Sequence, residues 1–240
     1  MPDASITDVG NGWYRLSATN TADTTASGFN FIVWAATDSS GSTYNTGGNA
    51  GRGVFQTFGF QSEEGSFPTS YIPTSGSQVT RNRDSAEMTG TNFSSWYRAD
   101  EGSIFLQYIQ EYVQASGNKA IFSFNPGVQG NQMTFLTDTT PRTIFYSTYN
   151  STQQTSVAAG TTTLGETMKH CVGYELNNVS MAVNGGNVPT DTNAIVPTSA
   201  DQANIGANSN SALTFTGHIS KIAYYPVRLT NEELQRLTEE

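Results

Sequence analysis

Residues 61–83, QSEEGSFPTSYIPTSGSQVTRNR, form a stiff seam between two halves of the chain that both read as strands. Pro68 and Pro73 fix φ near about −65° and carry no N–H donor, and Ile72 before the second proline is biased toward extended geometry. Helix is excluded here. Phe67, Tyr71 and Ile72 add apolar side chains that can be pressed onto a neighbouring surface. Residues 66–84 are therefore expected to be a pinned, extended connector, with Phe67, Pro68, Tyr71, Ile72 and Pro73 as its assembly residues, rather than a loose Gly/Ser linker.

Upstream of the seam, GWYRLSA (12–18), GFNFIVWAA (28–36) and VFQTFGFQ (54–61) alternate with period two and read as strands around a glycine-rich loop. Downstream the chain becomes a meander of short strand runs separated by turn residues. They are FSSWYRA (93–99), GSIFLQYIQEYV (102–113), KAIFSFN (119–125), QMTFLTD (132–138), RTIFYSTYN (142–150), MKHCVGYEL (168–176), NVSMAVNGG (178–186), QANIGAN (202–208) and LTFTGHISKIAYYP (213–226). No amphipathic helix of about 10 residues or more intervenes, so an antiparallel β-sandwich is favoured over a βαβ architecture. One helix signal is terminal: Thr230 and Glu233 make a capping box, Leu229 and Leu234 a hydrophobic staple, and 231–237 a short helix.

Composition narrows the class of function. The chain has 240 residues, enough for one ordinary sandwich and a smaller unit. A net charge of −9 with no cluster of Lys and Arg argues against a nucleic-acid partner. Cys171 is the single cysteine, so no intramolecular disulfide forms and the fold must hold by its core. No run approaches the roughly 18–20 apolar residues that span a bilayer, and MPDASITDVG lacks the basic and apolar regions of a signal peptide. Synthesis in a cytoplasm, with no membrane insertion, is the expectation.

The seam also carries a resemblance. Residues 59–84, GFQSEEGSFPTSYIPTSGSQVTRNRD, resemble a run found in phage tail and virion proteins, GAQLEEGSFPTSYIPTSGS.VTRAAD. The chain departs from it at Phe60 and Ser62, where the family has Ala and Leu, and at Asn82 and Arg83, where it has Ala. In that family the run closes a carbohydrate-binding-module-like jelly roll and leads into a concanavalin-like, laminin-G-like sandwich. TNFSSWYRADEGSIFLQY (91–108), MKHCVGYELNNVSMAVNGG (168–186) and GHISKIAYYPVRLTNEELQRLT (217–238) resemble that sandwich's first strands, its hairpin and its closing strand with helix. The resemblance implies an all-β fold in which 1–65 is a partial jelly-roll attachment region, 66–84 the connector and 85–240 the sandwich. A half-sandwich exposes sheet edges, so 1–65 is expected to be covered by other copies or by another virion protein. The family further implies a virion protein made in the host cytoplasm: a trimeric tail-fibre or receptor-binding adhesin for a host surface glycan, or else a capsid decoration or head-fibre protein with a purely structural role.

The site chemistry points to binding, not catalysis. Glycosidases on concanavalin-like folds place two carboxylates on one face, and the Glu-x-Asp-x-x-Glu strand that would do so is absent. Adjacent Glu63 and Glu64 diverge if extended, and Asp100 and Glu101 precede a turn at Gly102. Two histidines, His170 and His218, are too few for a zinc set; His170 is expected on a strand surface and Cys171 as a small buried thiol. Asp138, Asp191 and Asp201 are the loop carboxylates a Ca²⁺ would use, but no dense cluster assigns it a ligand set and no cofactor is claimed. For a saccharide, Tyr146, Tyr149 and Asn150 around the FYSTYN turn are the candidate contacts, while Trp96, Tyr224 and Tyr225 are assigned to packing.

Overall fold

The computed structural model describes residues 3–21, 56–63, 68–82, 84–111 and 117–239. The chain divides into two compact units, 1–81 and 82–240.

In the first unit β1 (Asp3–Gly10) and β2 (Trp13–Thr19) form an antiparallel hairpin. Register puts Ala4, Ile6, Tyr14, Leu16 and Ala18 on one face and Ser5, Thr7, Arg15 and Ser17 on the other. The polar face is internally bonded: Ser5 and Ser17 share a hydroxyl contact of 2.7 Å, and Arg15 donates to the Thr69 carbonyl at 2.5 Å. Ile6, Tyr14 and Leu16 on the apolar face are each more than half exposed. In the connector the Glu63 carboxylate accepts from the Thr69 N–H and hydroxyl at 2.6 and 2.5 Å, and Gln61 accepts from the Ile72 N–H at 2.8 Å. Burial pushes the Glu63 carboxyl up, but these hydrogen bonds outweigh it and hold the group below its usual range. Pro68, Tyr71, Ile72 and Pro73 carry no regular secondary structure, and Tyr71 packs on Phe58 with ring centroids 5.6 Å apart. Phe67 and the run GFNFIVWAA lie outside the described residues. The strand expected at 54–61 is not one over its described part: Gly59, at φ 69°, breaks extension between Phe58 and Phe60, both of which are exposed.

The second unit is an antiparallel sandwich. Its elements are β3 (Ala86–Thr89), α1 (Thr91–Ser94), β4 (Glu101–Gln110), β5 (Lys119–Asn125), β6 (Gln132–Thr137), β7 (Arg142–Tyr149), β8 (Thr152–Thr161), β9 (Thr167–Glu175), β10 (Asn178–Val183), β11 (Thr190–Asp191), β12 (Gln202–Ile205), β13 (Gly217–Tyr225) and α2 (Asn231–Glu239). One sheet of five strands runs β11-β10-β9-β4-β13, and one of six runs β3-β12-β5-β6-β7-β8. The core lies between them. Ile104, Leu106, Tyr108, Met168, Val172, Tyr174 and Met181 of the first sheet meet Phe122, Phe124, Met133, Phe135, Phe145 and Val157 of the second. The five-stranded sheet is covered on its other face too, where α2 lays Leu234 and Leu237 against Phe105, Cys171 and Ala182. Thr230 and Glu233 cap that helix reciprocally, at 2.8 and 3.2 Å.

Two expectations fail here for stated reasons. FSSWYRA is not a strand: Gly90 at φ 58° ends β3, and α1 with the turn after it brings Phe93, Trp96 and Tyr97 together at i, i+3 and i+4, with Phe93 and Tyr97 stacked at 4.5 Å. His170 is not on a surface. It lies wholly buried on the inner face of β9, its Nε2 3.0 Å from both the Tyr108 hydroxyl and the Thr143 hydroxyl. Cys171 is buried as expected, against α2, because a sheet covered on both faces hides successive residues alike.

Candidate functional site

The six-stranded sheet is apolar inside and carries polar rows on its outer side. With Phe122, Phe124, Met133, Phe135 and Phe145 pointing into the core, the alternate positions face outward. Strand register then lines up Glu87, Asn204, Ser123, Thr134, Tyr146 and Ser156 in one continuous row across all the strands. A second row begins Thr89, Gln202, Asn125, and Gln132 pairs with Thr148 further across. Leu136, Ile144 and Ala158 make the adjoining row apolar.

These groups bond to one another. Asn125 Nδ2 donates to Asn204 Oδ1 at 2.7 Å and to Ser123 Oγ at 3.0 Å, Gln202 Nε2 donates to Asn204 Oδ1 at 3.2 Å, and Gln132 Nε2 donates to the Tyr146 hydroxyl at 3.0 Å. A network of this kind fixes each amide's orientation; Asn125, Ser123, Gln132 and Asn204 are buried, so the half-buried Gln202 and Tyr146 are the members that present polar groups at set positions. The segment 206–216 crosses the middle of the face, with Ser123 Oγ donating to the Ala207 carbonyl at 3.1 Å and Ser209 Oγ to Gln132 Oε1 at 3.1 Å. Beneath and within that strap Thr134 Oγ1 and Asn208 Nδ2 are buried without a protein hydrogen-bond partner.

The face opens at its β3–β12 edge. Glu87 and Thr89 are exposed there and Gln202 is half-buried. Beside them is a cleft of about 370 Å³ lined by Thr89, Phe93, Ser94, Tyr97, Asp201 and Gln202, among others. Two hydroxyls, an amide and a carboxylate thus stand beside the half-buried Tyr97 ring in a recess of ligand size, with the buried Phe93 behind it. A second cleft of about 370 Å³ lies between Ser156–Ala158 and Pro189–Asn193.

The residues singled out in the sequence do not form one site. Tyr146 stands in the polar row, bonded to Gln132. Tyr149, three residues on, has the opposite parity and is 43% exposed at the strand end. Asn150 holds the β7–β8 turn at φ 50° and spends its N–H on Asn131 Oδ1 at 2.8 Å. Sequence reasoning missed Asn204, Gln202, Thr89 and the cleft. Their signal was the polar member of each alternating strand, legible only once strands from distant parts of the chain are placed side by side.

The three aspartates considered for calcium are separately engaged. Asp191 accepts from the Asn193 N–H at 2.9 Å, and Asp201 lines the edge cleft. Asp138 is clamped by Arg142, at 2.7 Å to the guanidinium and 3.0 Å to its backbone N–H, and by Thr140 at 2.8 and 2.9 Å. Among the described residues no three His, Cys, Asp or Glu side chains come together. Burial pushes the Asp138 carboxyl up, but the hydrogen bonds win and lower it to about 2. Asp138→Ala is accordingly expected to lower stability by about 2 kcal/mol at pH 7, read from urea unfolding. The wild-type advantage is present above the ordinary aspartate range near pH 4 and is lost as pH falls through about 2. Of the other carboxylates considered, Asp100 and Glu101 both pair with Arg98, at 2.6 and 3.0 Å.

No protein-family model matches this chain, and no curated protein matches it. Solved structures do. The carbohydrate-binding module (CBM40) of a Ruminococcus gnavus IT-sialidase, in a structure with α2,3-sialyllactose bound, aligns at a TM-score of 0.53 and 15% identity over 65% of this chain and 96% of that one. Part of NanB sialidase from Streptococcus pneumoniae aligns at 0.51 and 12% identity, over 62% of this chain and 26% of that one. A leech intramolecular trans-sialidase gives 0.50 and 18%, over 59% and 23%. The fold is therefore an antiparallel β-sandwich of the jelly-roll kind, which this chain shares with these structures.

Proposed function

We propose that this protein is a glycan-binding module and not an enzyme, with its site on the open edge of the polar sheet face. The observation that carries this reading is the hydrogen-bonded polar row ending beside the edge cleft, where Thr89, Ser94, Gln202 and Asp201 stand next to the half-buried Tyr97. Saccharides need this mixture: fixed amides, hydroxyls and a carboxylate for their hydroxyls, and aromatic surface for their C–H faces. The sialyllactose bound by the R. gnavus module gives the fold a precedent. The likeness of residues 59–84 to phage tail proteins supports a setting on a virion, with residues 1–65 joined to other virion proteins and repeated copies, a trimer in the first instance, converting weak single sites into avidity.

The test is a glycan array probed with the full chain, followed by Gln202→Ala. Loss of at least tenfold in binding at an unchanged melting temperature is expected. A wild-type chain that binds no glycan, or a variant that binds as well as wild type, ends the proposal. Tyr149→Ala and Asn150→Ala at the far turn report whether that end takes part.

One observation favours a second reading, a purely structural decoration or head-fibre protein. The bare apolar face of the hairpin, Ile6, Tyr14 and Leu16, is the kind of surface that subunit contacts cover.

A further inference from the structure

We propose that the edge cleft selects uncharged, hydroxyl-rich saccharides and discriminates against sialylated and other anionic ones; the inference rests on the glycan-binding reading above. Among the described residues that line the cleft the only formal charge is negative. Asp201 lines it, Glu87 stands on the same sheet face beside Asn204, and no described Lys or Arg is among the lining residues.

Three described cations on these elements, Arg98, Lys119 and Arg142, are out of reach or already used. Arg98, between Tyr97 and Ala99 in sequence, holds Asp100 at 2.6 Å and Glu101 at 3.0 Å and donates to the Pro226 carbonyl at 3.3 Å. Lys119 begins β5, whereas Asn125 at the other end of that strand is the residue paired with Gln202. Six residues of strand separate them by about 20 Å, more than twice the roughly 8 Å over which charges act through physiological salt. Arg142 is held by Asp138.

A saccharide carboxylate is ordinarily met by Arg or Lys, or by converging N–H donors. Here it would enter beside Asp201, in the field of a chain with a net charge of −9. A neutral sugar meets the opposite situation. Thr89 and Ser94 can donate and accept, Gln202 does both through its amide, and the two oxygens of the Asp201 carboxylate can accept hydrogen bonds from two hydroxyls at once. Fold likeness to a module with sialyllactose bound thus does not carry its ligand over, because the charge that the ligand requires is missing from this cleft.

The experiment pairs glycans that differ in one group. An array carries neutral oligosaccharides and the same oligosaccharides capped with sialic acid or extended by a uronic acid, and the full chain is titrated at low and physiological salt. Bound neutral glycans are expected to lose at least tenfold in affinity when capped, more at low salt than at high. Asp201→Asn, which keeps the side chain's shape, is expected to narrow that ratio at an unchanged melting temperature. Capped glycans bound as tightly as neutral ones, or a ratio that Asp201→Asn leaves unchanged, overturn the selectivity while leaving glycan binding intact. Binding to no glycan overturns both.

Discussion

Acidification from pH 7 to pH 4.5 is expected to remove about 3 kcal/mol of folding stability through His170 alone. The imidazole is completely buried, and burial lowers its pKa from 6.5 to about 3. Geometry explains why no compensation is offered. Nε2 has two hydroxyl neighbours, Tyr108 and Thr143, each at 3.0 Å, whereas Nδ1 is buried with no partner. A buried lone pair left alone costs less than a buried N–H left alone, so the proton of the neutral ring is assigned to Nε2. Protonation would then place a cation in the core with its new N–H unsatisfied. The unfolded chain pays none of this and takes up its proton near pH 6.5. Stability is therefore complete above that value and declines by about 1.4 kcal/mol per pH unit as pH falls toward about 3. Urea unfolding of wild type and His170→Gln at pH 7 and 4.5 measures it. His170→Gln is expected to be less stable at pH 7 but to lose about 3 kcal/mol less on acidification; equal losses would mean that His170 does not titrate as its burial requires.

That histidine also marks where the sequence stops being informative. In β5, β6 and β7 the alternation of Phe122, Phe124, Met133, Phe135 and Phe145 with Ser123, Asn125, Thr134 and Tyr146 shows strand and inward face together, because along these rows the outer positions are polar. In β9 it does not. Both faces are covered, so MKHCVGY buries His170 and Cys171 in succession, and a polar residue next to an apolar one ceases to mean exposure. The strand β8 escaped because its inward positions are the buried Thr155 and Val157 and the half-buried Ala159, two of them small or polar. The helix α1 escaped because four residues carry no period of their own; the spacing of Phe93, Trp96 and Tyr97 was its trace. By contrast, the capping box of Thr230 and Glu233 is a local device and was legible as such. The candidate site is the opposite case. Tyr146 was visible as an aromatic in a polar strand, but its row joins Glu87, Ser123, Thr134 and Asn204, and only strand register places them together.

Phe124→Ala is expected to cost about 3–5 kcal/mol and to weaken ligand binding beyond the loss of fold. Phe124 is fully buried at the meeting point of the aromatic cluster. Its ring centroid lies 4.8 Å from Tyr97, 4.9 Å from Phe122, 6.0 Å from Phe93, 6.2 Å from Trp96 and 6.3 Å from Tyr174. Truncation removes the transfer free energy of a phenyl group and leaves a cavity, which these large rings close only by shifting. Two of them, Phe93 and Tyr97, line the edge cleft, so the cavity opens directly beneath the proposed site. A control separates the two effects. Phe135, equally buried but packed on Phe122 and Phe145 deeper in the sheet, touches no cleft residue among its ring contacts. Phe135→Ala is expected to cost a similar 3–5 kcal/mol, yet at a temperature where both variants are folded it should bind glycan like wild type while Phe124→Ala binds at least several-fold more weakly. Equal binding by the two variants would show that the cleft does not depend on the aromatic cluster under it, and would move the site elsewhere on the polar face.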